Sequence, residues 1–273
     1  MTKRTVYMIS DGTGITAENL GNTLLSQFSH LEFERHIFSY VDTLEKAEKL
    51  KIQLDSVYTE TGEKPLVFMT LVKPELAEML RSANAVTIDL FNVFLKTLES
   101  ALGCQSSHTV GKTHGVTDGR FYAHRMEAVE FALNHDDGVH LHDYERADII
   151  LIGVSRCGKT PSCLYMALHF GILAANYPFT EEDLDVQHLP PSLAPYKKKL
   201  FGLTISPERL QQIRTVRRPN SPYASLDRCR QEVSEIEHLY RKEGIKFLNS
   251  TQYSIEEITT KILNIVGLRN TYC

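Results

Sequence analysis

Between residues 147 and 172 an apolar run, a glycine-bounded loop and a helix-periodic stretch follow one another, an order that few folds accommodate. Ala147-Asp-Ile-Ile-Leu-Ile152 is short and apolar, the pattern of a strand buried on both faces. Gly153, Val154, Ser155, Arg156, Cys157, Gly158, Lys159 and Thr160 then match G-x-x-x-x-G-K-[ST] at every fixed position. Leu164, Ala167, Leu168, Gly171 and Ile172 recur at i, i+3, i+4, i+7 and i+8, one face of a helix. A strand that turns through glycines into a helix belongs in a parallel α/β sheet. The loop amides and the helix N-terminus of such a unit converge on phosphate oxygens. Lys159 is placed to reach the terminal phosphates and the Thr160 hydroxyl to hold Mg²⁺. Pro161 fits, because proline is tolerated in the first turn of a helix. The plainer alternative is a glycine-rich turn with no ligand. The context favours a chain that binds a phosphorylated nucleotide or a similar polyanion.

The same alternation fills the rest of the sequence. Strand patterns at 6–9, 37–41, 66–70 and 85–89 are interleaved with helical ones at 43–56, 75–83 and 91–101. An earlier helix carries Leu20, Leu24, Leu25 and Phe28 on one side. This predicts an N-terminal, mostly parallel α/β domain over 1–102. Residues 103–142 read as a polar connecting loop plus a helix at 121–134. A second α/β domain over 143–273, of the P-loop kinase-like kind, carries the glycine loop. There a proline-containing connection (Pro178, Pro190, Pro191, Pro195) leads to a strand at 200–205, helices at 207–218 and 224–243, and a strand at 245–248. A terminal helix opens with the capping box Ser254-x-x-Glu257.

Composition removes several function classes. A net charge of −4 supplies no global basic field for nucleic acid. No apolar run approaches the ~18 residues that span a bilayer, and Met1-Thr-Lys-Arg leads into a strand without a signal-like apolar region. The five cysteines are odd in number and form no C-x-x-C, so reduced thiols in a cytoplasmic protein are expected.

Other motifs leave alternatives open. Ser10-Asp-Gly-Thr-Gly14 also follows a strand and opens a helix. Gly12-x-Gly14-x-x-Ala17 formally fits a dinucleotide fingerprint with Asp42 as its acid, but a tight turn or a second anion-binding or catalytic loop fits as well. Asp11 there is a candidate base or metal ligand. Gly111-Lys-Thr113 lacks the first glycine and the strand, and reads as polar loop. Six of the eleven histidines (108, 114, 124, 135, 140 and 142) lie in 108–142, with only His140-x-His142 near metal-ligand spacing. His108 is a better candidate for a phosphate contact or proton relay. His135-Asp136-Asp137-Gly138 is either a helix-ending turn or a carboxylate pair for Mg²⁺ binding or proton abstraction. Arg209, Arg214, Arg217, Arg218, Arg228 and Arg230 are either a solvated face or arginines that close over phosphates. Lys197-Lys-Lys199 reads as surface.

Three stretches together resemble one family. Ile9-Ser-Asp-Gly-Thr-Gly-Ile-Thr-Ala-Glu18, Arg125-Met-Glu-Ala-Val-Glu-Phe-Ala132 with His135-Asp-Asp-Gly138, and Gly153 through Pro161 are similar to the bacterial phosphoenolpyruvate synthase regulatory proteins, relatives of the pyruvate, phosphate dikinase regulatory proteins. Ala174-Ala-Asn-Tyr-Pro-Phe179, Leu200-Phe-Gly-Leu-Thr204 and Pro207-Glu-Arg-Leu210 extend the resemblance over nearly the whole chain. It implies a bifunctional enzyme, a serine/threonine-protein kinase with ADP as donor and a phosphorylase in which inorganic phosphate regenerates the target and releases pyrophosphate. Ser10-Asp-Gly-Thr13 resembles the synthase branch, so phosphoenolpyruvate synthase is the expected protein substrate. The same chemistry on pyruvate, phosphate dikinase, a small-metabolite kinase and a non-catalytic nucleotide sensor are the alternatives. The expected catalytic residues are Lys159, Asp11 and Asp137, with Thr160 as the Mg²⁺ ligand. A homodimer is the ordinary expectation for a cytoplasmic enzyme.

Overall fold

The computed structural model describes residues 3–109, 119–138, 143–180, 182–183, 188–219 and 221–268. Its chain divides into two compact units, Met1–Gly115 and Val116–Cys273. Each contains one four-stranded sheet, and every pairing in both sheets is parallel.

In the first unit β1 (Arg4–Ser10), α1 (Ile15–Leu25), β2 (Phe33–Phe38), α2 (Leu44–Thr61), β3 (Leu66–Thr70), α3 (Pro74–Arg81), β4 (Val86–Asp89) and α4 (Leu90–Leu102) alternate. The strand order is β2-β1-β3-β4. Successive strand residues face opposite ways, so the sheet has two cores. Tyr7, Ile9, Val67 and Met69 pack with Leu50 and Leu54 of α2 and Leu76 and Leu80 of α3. Val6, Met8 and Phe68 pack with Ala17 and Leu25 of α1 and Leu90 of α4. Each buried Val, Leu, Ile, Phe or Met side chain among these contributes roughly 1.5–3 kcal/mol by leaving water, which is why the central strands are apolar throughout. The edge strand differs. It lies at 33–38 and not at 37–41, because it pairs only with β1 and tolerates Glu34 and Arg35 on exposed positions. The chain leaves the sheet at Tyr40, whose φ is 57°.

The second unit holds α5 (Gly119–Asn134), β5 (Ile149–Gly153), α6 (Lys159–Phe170), β6 (Ala174–Pro178), β7 (Leu200–Thr204), α7 (Pro207–Arg217), α8 (Leu226–Glu243), β8 (Phe247–Asn249) and α9 (Ile255–Val266). Its strand order is β6-β5-β7-β8, the same topology as the first sheet. All five residues of β5 are buried. Within the sequence-defined connection, α5 contributes Ala128, Phe131 and Ala132 to this unit's core. The strand β6 falls where the sequence suggested only a proline-containing connection. It is an edge strand, so Pro178 at its end breaks no internal ladder. The capping box forms as expected: Ser254 accepts from the Glu257 amide and the Glu257 carboxylate from the Ser254 amide.

Candidate active site

Open α/β sheets bind ligands beyond the carboxyl ends of their strands, where the chain direction of the connections reverses. In the second unit this point lies between β5 and β7, and the glycine loop occupies it. The loop is tied down from outside through its carbonyls. The Lys159 ammonium donates to the carbonyls of Gly153 at 3.0 Å and Val154 at 2.9 Å. The Arg214 guanidinium donates to the Ser155 carbonyl at 3.2 Å, and Ser250 Oγ to the Cys157 carbonyl at 3.0 Å. A trans peptide sets its C=O and the following N–H on opposite sides. Holding the carbonyls of Ser155 and Cys157 therefore turns the amides of Arg156 and Gly158 the opposite way, and both residues line one cleft.

Gly153 is required here by contact. A Cβ on it would lie 2.5 Å from the Leu203 carbonyl and 2.8 Å from Cys157 Sγ. Tyr240 closes the floor, its hydroxyl donating to the carbonyls of Ile152 and Leu203. Gly158 caps α6 with φ 99° and no side-chain hydrogen bond, so the positive end of the helix faces the same cleft. Cys157 is buried and burial pushes its thiol up, so it adds no anion beside the lysine.

The cleft has a volume of about 460 Å³ and is lined by Asp136, Asp137, Ser155, Arg156, Gly158, Lys159, Thr160, Pro161 and Arg217. Lys159 is only 5 % exposed. Across from it the Thr160 hydroxyl donates to Asp136 Oδ1 at 2.8 Å. Asn176, fully buried in β6, donates to the same carboxylate oxygen. Its own side-chain oxygen accepts the Asp137 amide at 3.1 Å. One buried amide thus fixes both the acid and the left-handed turn at Asp137, whose φ is 53°. The threonine hydroxyl and the carboxylate are hard oxygen donors of the kind Mg²⁺ takes, so the residues present fit that ion.

The structure therefore brings Lys159, Thr160 and Asp137 to one cleft and adds Asp136 as the carboxylate in direct contact with Thr160. Of the arginines, Arg217 lines the cleft, whereas Arg214 is 1 % exposed and bound to Glu232 at 2.7 Å. Arg228 also serves Glu232, and Arg230 pairs with Glu208. The sequence carried one signal for the missed Asn176, an amide within a run that is otherwise apolar.

Asp11 belongs to the first unit, at the end of β1. It is 6 % exposed and accepts the Val72 amide at 2.7 Å. Burial raises its pKa, with the Val72 and Lys73 amides opposing. The Gly12 amide is taken by Ser10 Oγ at 3.1 Å, and Asp42 pairs with Lys46 at 2.7 Å. His108 Nδ1 lies 3.3 Å from the Val72 carbonyl. The Gly111-Lys-Thr113 stretch, His114, His140 and His142 lie outside the described residues. Among the described residues no three His, Cys, Asp or Glu side chains cluster to hold a metal, and no helix is long and apolar enough to cross a membrane.

Comparison with known proteins shows the family. Residues 6–263 match the kinase/pyrophosphorylase family, and the chain belongs to it. A protein of Legionella pneumophila strain Corby, provisionally named phosphoenolpyruvate synthase regulatory protein, is 58 % identical over 267 residues, 98 % of each chain. Proteins with the same provisional name from Marinobacter nauticus and Hahella chejuensis are 52 % identical over 98 % of each chain and 50 % identical over 97 % of this chain and 98 % of theirs. A LacI transcriptional regulator from Lactobacillus brevis aligns over 90 % of this chain and 98 % of its own at 10 % identity, with a TM-score of 0.21 that carries no argument.

Proposed function

We propose that this member of the kinase/pyrophosphorylase family is an ADP-dependent protein threonine kinase and a phosphate-dependent, pyrophosphate-forming phosphorylase. Its protein substrate in this reading is phosphoenolpyruvate synthase, as the names of its relatives suggest. The observation that carries the proposal is the meeting of the carbonyl-anchored glycine loop, Lys159 and the Thr160–Asp136 pair in one cleft. The β-phosphate of ADP, inorganic phosphate and pyrophosphate present similar oxygens to such a cradle, so one loop serves both directions.

In the forward direction the substrate threonine hydroxyl attacks the β-phosphorus of ADP, AMP leaves, and the hydroxyl proton passes to a base. Asp137, on the cleft wall, is assigned that base. In the reverse direction inorganic phosphate attacks the phosphothreonine phosphorus, the threonine oxygen leaves and takes a proton, and pyrophosphate forms. Lys159 and the amides of Arg156 and Gly158 stabilise charge on the transferring phosphoryl oxygens. When bound, Mg²⁺ would neutralise further charge there, held by Thr160 and Asp136. Asp11, in the first unit, is kept as a candidate acid–base group with no step assigned to it, a buried carboxyl whose pKa burial raises.

The test is incubation with ADP labelled on the β-phosphate, Mg²⁺ and phosphoenolpyruvate synthase. Label on a threonine of the synthase is the expected result. Label on pyruvate, phosphate dikinase alone, or on a small molecule, would select the corresponding alternative, and no transfer would contradict the enzymatic reading.

A further inference from the structure

We infer that Arg214 is a positioning residue for phosphate binding, one buried guanidinium that orients the Ser155–Arg156 peptide and anchors the helical turn carrying Arg217. The inference rests on the phosphate-cradle reading given above. Arg214 donates to the Ser155 carbonyl at 3.2 Å, the Tyr223 carbonyl at 3.1 Å and Glu232 Oε2 at 2.7 Å. Its guanidinium also lies 4.0 Å from the centre of the Tyr223 ring. The Tyr223 hydroxyl in turn donates to Ser155 Oγ at 2.9 Å. Ser155 is thus gripped at its carbonyl and at its side chain by two residues that also hold each other.

Three physical points make this a positioning device and not simple packing. Arg156 sits at φ 77°, a left-handed conformation that is unfavourable for a non-glycine residue and persists only where the surroundings impose it. The grip on the preceding carbonyl imposes it and turns the Arg156 amide the opposite way. A buried ion pair is, second, rarely more stabilising than apolar side chains of the same size, so the Arg214–Glu232 pair is poorly explained by stability alone. Third, only a planar fork reaches three separated acceptors while stacking on a ring, and a lysine ammonium does not. Arg214 and Arg217 are one turn apart on α7 and share a face. Fixing the first therefore aims the second into the cleft that it lines.

Calorimetric titration of pyrophosphate, with Mg²⁺, into the full chain tests this with Arg214→Lys and Tyr223→Phe. The expected result is roughly tenfold weaker binding for Arg214→Lys, the loss of charge-assisted hydrogen bonds. For Tyr223→Phe, which removes a single hydroxyl, about threefold is expected. The KM for ADP should rise in parallel while the KM for the protein substrate holds. If Arg214→Lys does not fold, Tyr223→Phe decides alone. Wild-type affinity in the folded variants, or a fall in affinity that only tracks the fraction unfolded, overturns the inference. If the wild-type chain itself takes up no pyrophosphate, the phosphate-cradle reading fails and this inference fails with it.

Discussion

The loop after β1 and the loop after β5 occupy equivalent places in two sheets of the same strand order, and they solve the crossing differently. The first spans residues 11–14 and spends its polar groups on itself and its neighbours. Ser10 Oγ takes the Gly12 amide, Tyr40 donates to the Gly12 carbonyl, and Ser39 donates to the Thr13 carbonyl. The charge it presents is a buried carboxyl, Asp11. The second spans residues 154–158, has its carbonyls held from behind, and presents an ammonium, Lys159. Carbonyls are held in both loops and topology supplies a crevice in both units, so the sign of the charge at the loop decides which one suits an anion.

The largest expected effect breaks that comparison at its charged group. Lys159→Ala should lower both the kinase and the phosphorylase rates by at least about 100-fold. Retention of one rate would show that the two reactions use separate sites. The glycines sharpen it next. Gly153→Ala forces a methyl group against the Leu203 carbonyl and should cost roughly 1–3 kcal/mol in urea unfolding. A Cβ on Gly12 meets nothing nearer than Ser10 Oγ at 3.8 Å, so Gly12→Ala should stay within about 0.5 kcal/mol. Equal costs would mean that the two loops are equally constrained.

A third, smaller effect concerns the ion. Asp136→Asn should raise the Mg²⁺ concentration for half-maximal activity about tenfold with little change in thermal stability. An unaltered Mg²⁺ requirement would remove Asp136 from the site. The smallest effect is on stability against pH. Asp11 has its folded pKa raised above 3.8 by burial, so between that value and the raised one the native state holds more protons than the unfolded state. Its contribution is therefore favourable below 3.8 and is lost as pH rises through the folded value. Asp11→Asn should raise the unfolding midpoint at pH 7 and flatten its decline across that window. A lower midpoint at pH 7 would contradict the sign.

What the sequence made legible follows from locality. The run from β5 through the loop to α6 was readable because apolar strand, glycine spacing and helical period are adjacent in the chain. The Ser254–Glu257 box was readable for the same reason. The strand β6 was not, since two alanines, an asparagine and a proline carry low β propensity and only pairing with β5 makes them a strand. The Asp136–Thr160 contact joins residues 24 apart, and the Arg214–Ser155 contact residues 59 apart. No local pattern separates Arg214 from the five other arginines named with it. Burial alone distinguishes it.

The proposed chemistry requires that the anion bind at the second loop and not at the first. Titrating pyrophosphate with Mg²⁺ into the wild-type chain, Lys159→Ala and Asp11→Asn measures this directly. A single saturable site per chain is expected, one that Asp11→Asn keeps and Lys159→Ala loses. Binding that survives Lys159→Ala and disappears with Asp11→Asn would contradict it.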